Sequence, residues 1–187
     1  MPEPGKNILS DEELLPRLRD PEQRNYAFNL LVRQFQERVY WHIRRMVIDH
    51  EDANDVMQNT FVKAWRNLDK FRGDAALFTW LYRIATNESL TFLKKKRQRF
   101  FLPIVDVENE LSQRIDNDPG FSGDEIERRL QQAILTLPEK QRLVFNMKYF
   151  DDLKYDEIST ILGTSVGALK ASYHHAVKKI EQNLKST

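Results

Sequence analysis

Apolar residues recur at spacings of three and four along most of the chain, the period of helices with one buried face. The clearest set is Phe28, Leu31, Val32, Phe35, Val39, Ile43 and Val47. Asp20-Pro21-Glu22-Gln23 precedes it and reads as a helix start: Asp caps, Pro suits the first helical position, and Gln follows three after the cap. That helix should stop near Asp49-His50. A second is expected from the acidic turn Glu51-Asp52 through Val56, Phe61, Val62 and Trp65 to about Leu68. A third opens after Asp74 and carries Trp80, Leu81, Ile84, Leu90 and Leu93. Three helices with short connections can bury a common core, so residues 21–98 are expected to form one small bundle. Residues 1–20 read as a loose tail with one short turn at most.

The helical period fades between Arg99 and Ser122, where Pro103, Pro119 and Gly120 punctuate the chain. A stretch of this length reads as a linker rather than an ordinary loop. Within it, Phe100–Val105 could dock in extended form. A second module is expected over 123–187. Ser122-Gly123-Asp124-Glu125 has the capping-box pattern, and Thr136-Leu137-Pro138-Glu139 repeats it ahead of Leu143, Val144 and Met147. Tyr155–Leu162, Gly163 and a last helix to Leu184 complete the module. The expected fold is all-α: a three-to-four-helix bundle and a four-helix domain joined by a flexible acidic linker.

Composition narrows the classes. No apolar run approaches the ~20 residues that span a bilayer, and the first residues lack the apolar core of a signal peptide, so a cytoplasmic protein is expected. With no cysteine, disulfides and thiolate metal sites are excluded. The net charge of +1 conceals a division. Residues 21–100 hold fifteen Lys and Arg against nine Asp and Glu, residues 101–122 one against five, and residues 164–187 four against one. Two basic regions separated by an acidic strip point to two contacts with a polyanion, although such blocks also solvate helix faces.

Tyr155–Leu162, Gly163 and the helix from Thr164 have helix-turn-helix spacing. Ile158, Ile161 and Leu162 form the inner face of the first helix, and Gly163 can adopt positive φ in the turn at little cost. Thr164 or Ser165 can cap the second helix. Its apolar stripe is Val166, Leu169, Tyr173, Val177, Ile180 and Leu184. The opposite face offers Gly167, Ala168, Lys170, Ala171, Ser172, His174, Lys178 and Lys179. Small residues at its start permit close approach to a major groove, and the cations can neutralise phosphates. Lys170 and Ser172 are candidates for base edges, with no Arg for the bidentate contact to guanine.

The first module has its own candidate surface. The Arg72-Gly73-Asp74 turn opens a helix rich in aromatics that ends in Lys94-Lys95-Lys96-Arg97. Rings stack on bases and cations hold phosphates, which suits DNA whose bases have left the helix. The same rings could fill a core, and the cations would be favourable at any helix C-terminus. Adjacent-turn geometry prevents Trp80 and Tyr82 from both facing inward, so one of them, or Phe78, is available to a ligand. On the preceding helix, Asp52, Asp55, Gln58 and Asn59 with Val62 fit a protein-binding face or a solvated one. No catalytic constellation is present: His42, His50, His174 and His175 make no zinc spacing, and there is no Gly-rich phosphate loop. No cofactor is expected.

In this order the motifs resemble a bacterial sigma factor of the extracytoplasmic-function group. The resemblance covers about 24–98 and 124–184. It rests on Glu51–Trp65, on Phe71–Asn87, and on Leu137–Phe145 leading to the helix-turn-helix. It implies a non-enzymatic initiation factor. Asp52, Asp55, Gln58, Asn59 and Val62 would bind the clamp helices of the largest subunit of core RNA polymerase, and the flap of the second-largest subunit would be a further contact. Phe71, Arg72, Gly73, Asp74, Phe78, Trp80, Arg83, Asn87 and Lys94, Lys95, Lys96 and Arg97 would recognise and open the −10 element of promoter DNA around a flipped base. Thr164, Ser165, Val166, Gly167, Ala168, Lys170, Ser172, His174 and Lys178 would read the −35 element. The acidic linker would lie in the polymerase cleft, and an anti-sigma factor is implied as a partner, with no membrane insertion of the chain itself. The chain departs from the family pattern at Asn59, where Glu is usual, at Lys154, where a capping Ser is common, and in Gly167–Ser172, which lacks the usual Arg. The reading from another class is a helix-turn-helix regulator that acts without polymerase and dimerises through its first module; a purely structural helical protein is the third.

Overall fold

The computed structural model describes residues 8–100, 115 and 125–185, with the backbone alone for 99 and 100. The described residues form α-helices without strands. These are α1 (Asp11–Arg19), α2 (Arg24–Val47), α3 (His50–Asn67), a 3-10 turn (Leu68–Lys70), α4 (Leu77–Phe100), α5 (Glu125–Leu135), α6 (Glu139–Tyr149), α7 (Tyr155–Leu162) and α8 (Val166–Lys185).

The all-α expectation holds, with differences that have local causes. The segment read as a loose tail forms α1. Ser10 and Glu13 make a reciprocal capping box, and Leu14 and Leu18 are fully buried. The Ser10 backbone N–H bonded to the Glu13 carboxylate holds that group below the usual carboxylate range. Asp20 does not start α2: its carboxylate accepts from the Glu22 amide and the Gln23 side chain, forming a turn, and the helix begins at Arg24. Thr136 does not cap α6 either. Its hydroxyl donates back to the Ala133 carbonyl, closing α5 instead. Asp49, by contrast, caps α3 through the Asp52 amide. The Ser122 capping pattern and the docking segment after Phe100 fall outside the described residues.

Helices α1 to α4 pack around Leu31, Val39, Ile43, Val56, Leu77, Leu81 and Ala85, and this cluster continues without a break into Leu143, Val144, Met147, Ile158 and Leu169. A second cluster, Ala133, Ile134, Leu137, Phe145, Ala176 and Ile180, lies inside α5, α6 and α8. The second helical group therefore has a core of its own and also rests on the first, α6 against α2 and α7 against α4. Ile115 is buried with Ile48 and Leu135, between the two groups.

Polar contacts also cross the seam between the groups, and one cluster of them is largely buried. The Asp151 carboxylate, at 5% exposure, accepts from Arg45 at 3.0 Å and lies 3.1 Å from His42 Nδ1. His42 is fully buried; its Nε2 meets the Thr86 hydroxyl at 2.9 Å and its ring stacks on Tyr82 at 4.6 Å. The Arg45 guanidinium also covers the Phe150 ring at 4.5 Å. Burial lowers the Arg45 pKa, with Asp151 opposing that shift, and burial raises that of Tyr82. Asp152 takes positive φ in this loop, a conformation Asp tolerates.

Candidate nucleic-acid and polymerase interfaces

The connection from α3 to α4 builds a cleft. The 3-10 turn ends where the Phe71 amide bonds the Leu68 carbonyl, and Gly73 then takes φ +84, a backbone state most side chains disfavour. The chain re-enters helix at Leu77. Between these points lies a cavity of about 330 Å³ lined by Lys70, Phe71, Arg72, Asp74, Ala75, Thr79, Trp80, Arg83 and Thr160. That volume is at the small end for ligand sites. Trp80 packs on Phe71 at 4.9 Å, giving the cleft an aromatic wall, and three cations surround it.

Phe78 is placed differently from its expected role. Its ring sits between Phe35 at 5.6 Å and Tyr82 at 4.2 Å, with the Arg38 guanidinium 4.0 Å above it, and it is not among the residues lining the cleft. The spacing contained this signal: 78 and 82 lie four apart and share a helix face, whereas 80 points away. Tyr82 is fully buried, so Trp80 is the ring left to a ligand. Lys70 and Thr79 were not anticipated. Thr160 could not have been, since it comes from α7, far along the chain.

The cations divide too. Arg83 and Asn87 are exposed on α4, but the Arg83 guanidinium donates to the Thr160 carbonyl. Lys96 pairs with Asp52 at 2.7 Å and Arg97 with Glu139 at 2.9 Å. Lys94 and Lys95 are exposed. The Lys96 pair engages the Asp52 carboxylate with α4, and Asp52 is half-buried. Asp55, Gln58, Asn59 and Val62 remain together as exposed residues at offsets of three, four and seven along α3. Val62, an apolar residue, is 48% exposed there.

In the second group, α7 and α8 meet at Gly163, whose φ of +64 ends α7. Glu157 accepts the Lys154 amide at the start of α7; the Lys ammonium, lacking a lone pair, cannot supply the other half of a capping box. Ser165 caps α8 through the Ala168 amide. Leu169, Ala176 and Ile180 face inward, and Tyr173 stacks on Phe145 at 5.7 Å. Leu184 is 39% exposed and leaves the expected stripe. Outward lie Ser165, Gly167, Ala168, Lys170, Ala171, His174 and Lys178, with Thr164, Val166 and Ser172 half-buried at the edges. Lys179 bends back to the Thr136 carbonyl at 3.2 Å.

The sequence and the fold are matched in known proteins. Residues 31–99 match the family model for sigma-70 region 2, and residues 127–180 that for sigma-70 region 4. The chain is 34% identical over 184 residues to the RNA polymerase sigma-H factor of Pseudomonas aeruginosa, covering 93% of each chain. It belongs to the extracytoplasmic-function sigma factors. A sigma-E factor of this group from Escherichia coli K12 is 33% identical over 184 residues, covering 94% of this chain and 95% of that one. Two solved folds are also similar. CnrH, in complex with the cytosolic domain of CnrY, has a TM-score of 0.70 at 23% identity over 94% of this chain and 97% of its own. The sigma factor RpoE of Bartonella quintana, in complex with the anti-sigma factor NepR, has a TM-score of 0.67 at 20% identity over 84% and 96%.

This sigma factor is therefore a transcription initiation factor that binds core RNA polymerase and recognises promoter DNA. The reading as a regulator that acts without polymerase is set aside. Among the described residues no helix is long and apolar enough to cross a membrane, and no cluster of His, Asp and Glu could hold a metal ion.

Proposed function

We propose that the cleft at the start of α4 holds an unstacked base of the −10 non-template strand while α8 enters the major groove of the −35 element. The Trp80–Phe71 wall above a cavity ringed by Lys70, Arg72 and Arg83 carries this reading. Base stacking on an aromatic contributes about 1–3 kcal/mol, of the order needed to offset extraction of a base from the duplex. Lys94 and Lys95 hold the adjoining backbone. On α8, Lys170 is best placed toward base edges, and His174 and Lys178 toward phosphates. Asp55, Gln58, Asn59 and Val62 dock on the clamp helices of polymerase, which supplies the chemistry; this chain selects and opens the promoter without catalysis of its own. The flap is the second contact, made by the region-4 domain. An anti-sigma factor is its antagonist, as RpoE of Bartonella quintana and CnrH have partners of their own.

The two domains must part during this work. The −10 and −35 elements lie about 25 base pairs apart, or ~85 Å at about 3.4 Å per pair. A compact chain of this length has a radius of gyration of roughly 16 Å. The packed arrangement cannot reach both elements, and Thr160 already occupies the rim of the cleft.

Run-off transcription from a genomic library tests the proposal: transcripts should require this chain together with core polymerase. On a promoter so found, Trp80→Ala should suppress permanganate reactivity over the −10 element while −35 duplex binding persists. Equal reactivity in the variant would refute the base-holding role. Val62→Glu should weaken association with core polymerase and leave DNA contacts alone.

A further inference from the structure

The cleft has a brace that lies outside both matched regions, which begin at residue 31. Helix α1 meets the start of α4, where the Asp11 carboxylate accepts the Leu77 amide at 2.8 Å. Arg19, at its other end, reaches toward Gly73, where an added β-carbon would lie 3.8 Å from Nη2. The residue before Leu77 is Ala76, which has no side-chain acceptor, so α4 is capped by another helix and not by its own sequence. Leu14 and Leu18, both buried, fix α1 to the bundle between these contacts. Thr79 and Trp80, which line the cleft, sit within one turn of the capped amide.

We infer that Asp11 is a positioning residue for promoter opening: by capping α4 across the fold it sets the orientation of Thr79 and Trp80 and preorganises the cleft. The inference rests on the base-holding reading above. An uncapped first turn of α4 frays, and the Trp80 ring then spends part of its time off the wall. The cap needs an oxygen acceptor rather than a charge, so asparagine can replace aspartate here.

The test uses holoenzyme reconstituted from the full chain and core polymerase. Its probe is the non-template −10 strand of a promoter active in run-off assays, carrying 2-aminopurine at the unstacked position. Asp11→Ala should bind this strand about five- to tenfold more weakly and show a smaller 2-aminopurine signal at saturation. Asp11→Asn should stay within about twofold of the native chain on both readouts, and all three chains should bind core polymerase and −35 duplex equally. Native-like behaviour of Asp11→Ala overturns the inference, as does an equal loss in Asp11→Asn. Should the native holoenzyme bind a scrambled strand as well as the −10 strand, the base-holding reading itself falls and takes this one with it.

Discussion

The two surfaces proposed to face DNA in this sigma factor are built on opposite plans. In region 2 the surface is concave: a cleft between the 3-10 turn and α4, walled by Trp80 and Phe71 and rimmed by Thr160 of the other domain. In region 4 it is convex: one face of α8, with Gly167, Ala168, Lys170 and His174 exposed. A cleft that encloses a base depends on shape, so its walls must be held by contacts far away. A helix that enters a groove depends on which atoms protrude, so its own capping and inward stripe suffice. The first should be sensitive to changes at a distance, the second mainly to changes on its own face.

The largest expected effect comes from separating the two plans. Asp151→Ala leaves buried His42 and half-buried Arg45 without their carboxylate, and losing one partner of a buried charged group costs on the order of 3 kcal/mol. Dyes on α3 and α8 should report a longer mean distance, and single-strand binding by the free chain should rise as Thr160 leaves the rim. An unchanged distance distribution would show that the Asp151 cluster does not hold the domains together.

Trp80→Ala comes next. Loss of one stacking platform costs about 1–3 kcal/mol, which should appear in single-strand affinity and scarcely in −35 binding. The reciprocal change, Lys170→Ala, should relax sequence preference at one −35 position by about 1 kcal/mol and spare strand opening. If each variant damages both steps equally, the division of labour is wrong.

Charge sharpens the comparison further. Replacing Lys94 and Lys95 together by Ala should flatten the salt dependence of promoter binding by about two units of slope, if each neutralises one phosphate. Lys96→Ala should change the slope less, because Lys96 is already engaged by Asp52. Salt titrations of filter binding or anisotropy would separate the two.

The smallest effect belongs to the cap at the start of α1. The folded-state pKa of Glu13 is depressed, so its contribution to α1 is present above the ordinary carboxylate pKa and is lost as pH falls through the depressed value. Glu13→Gln should remove that part of the acid sensitivity of α1, seen as amide exchange at Leu14. The α8 surface should not respond.

Much of this molecule was legible one helix at a time. The three-and-four spacing locates α2, α3, α4 and α8, Gly163 marks the tight turn, and Ser165 caps α8, because period, chirality and capping act over a few residues. The motif order was enough to indicate the family. Even Phe78 could have been placed from its i, i+4 relation to Tyr82, and α1 from the Ser10–Glu13 pair.

What no local pattern could settle is which side chains meet across helices. The pairing of Asp52 with Lys96, forty-four residues on, is one such meeting. Arg83 is diverted to Thr160, His42 is locked under Asp151, and the start of α4 is capped by Asp11. Each pairing joins residues distant in sequence. A helix fixes the angle at which a side chain leaves its axis, but the partner it finds depends on how the axes cross. That crossing is set by the packing of the whole core.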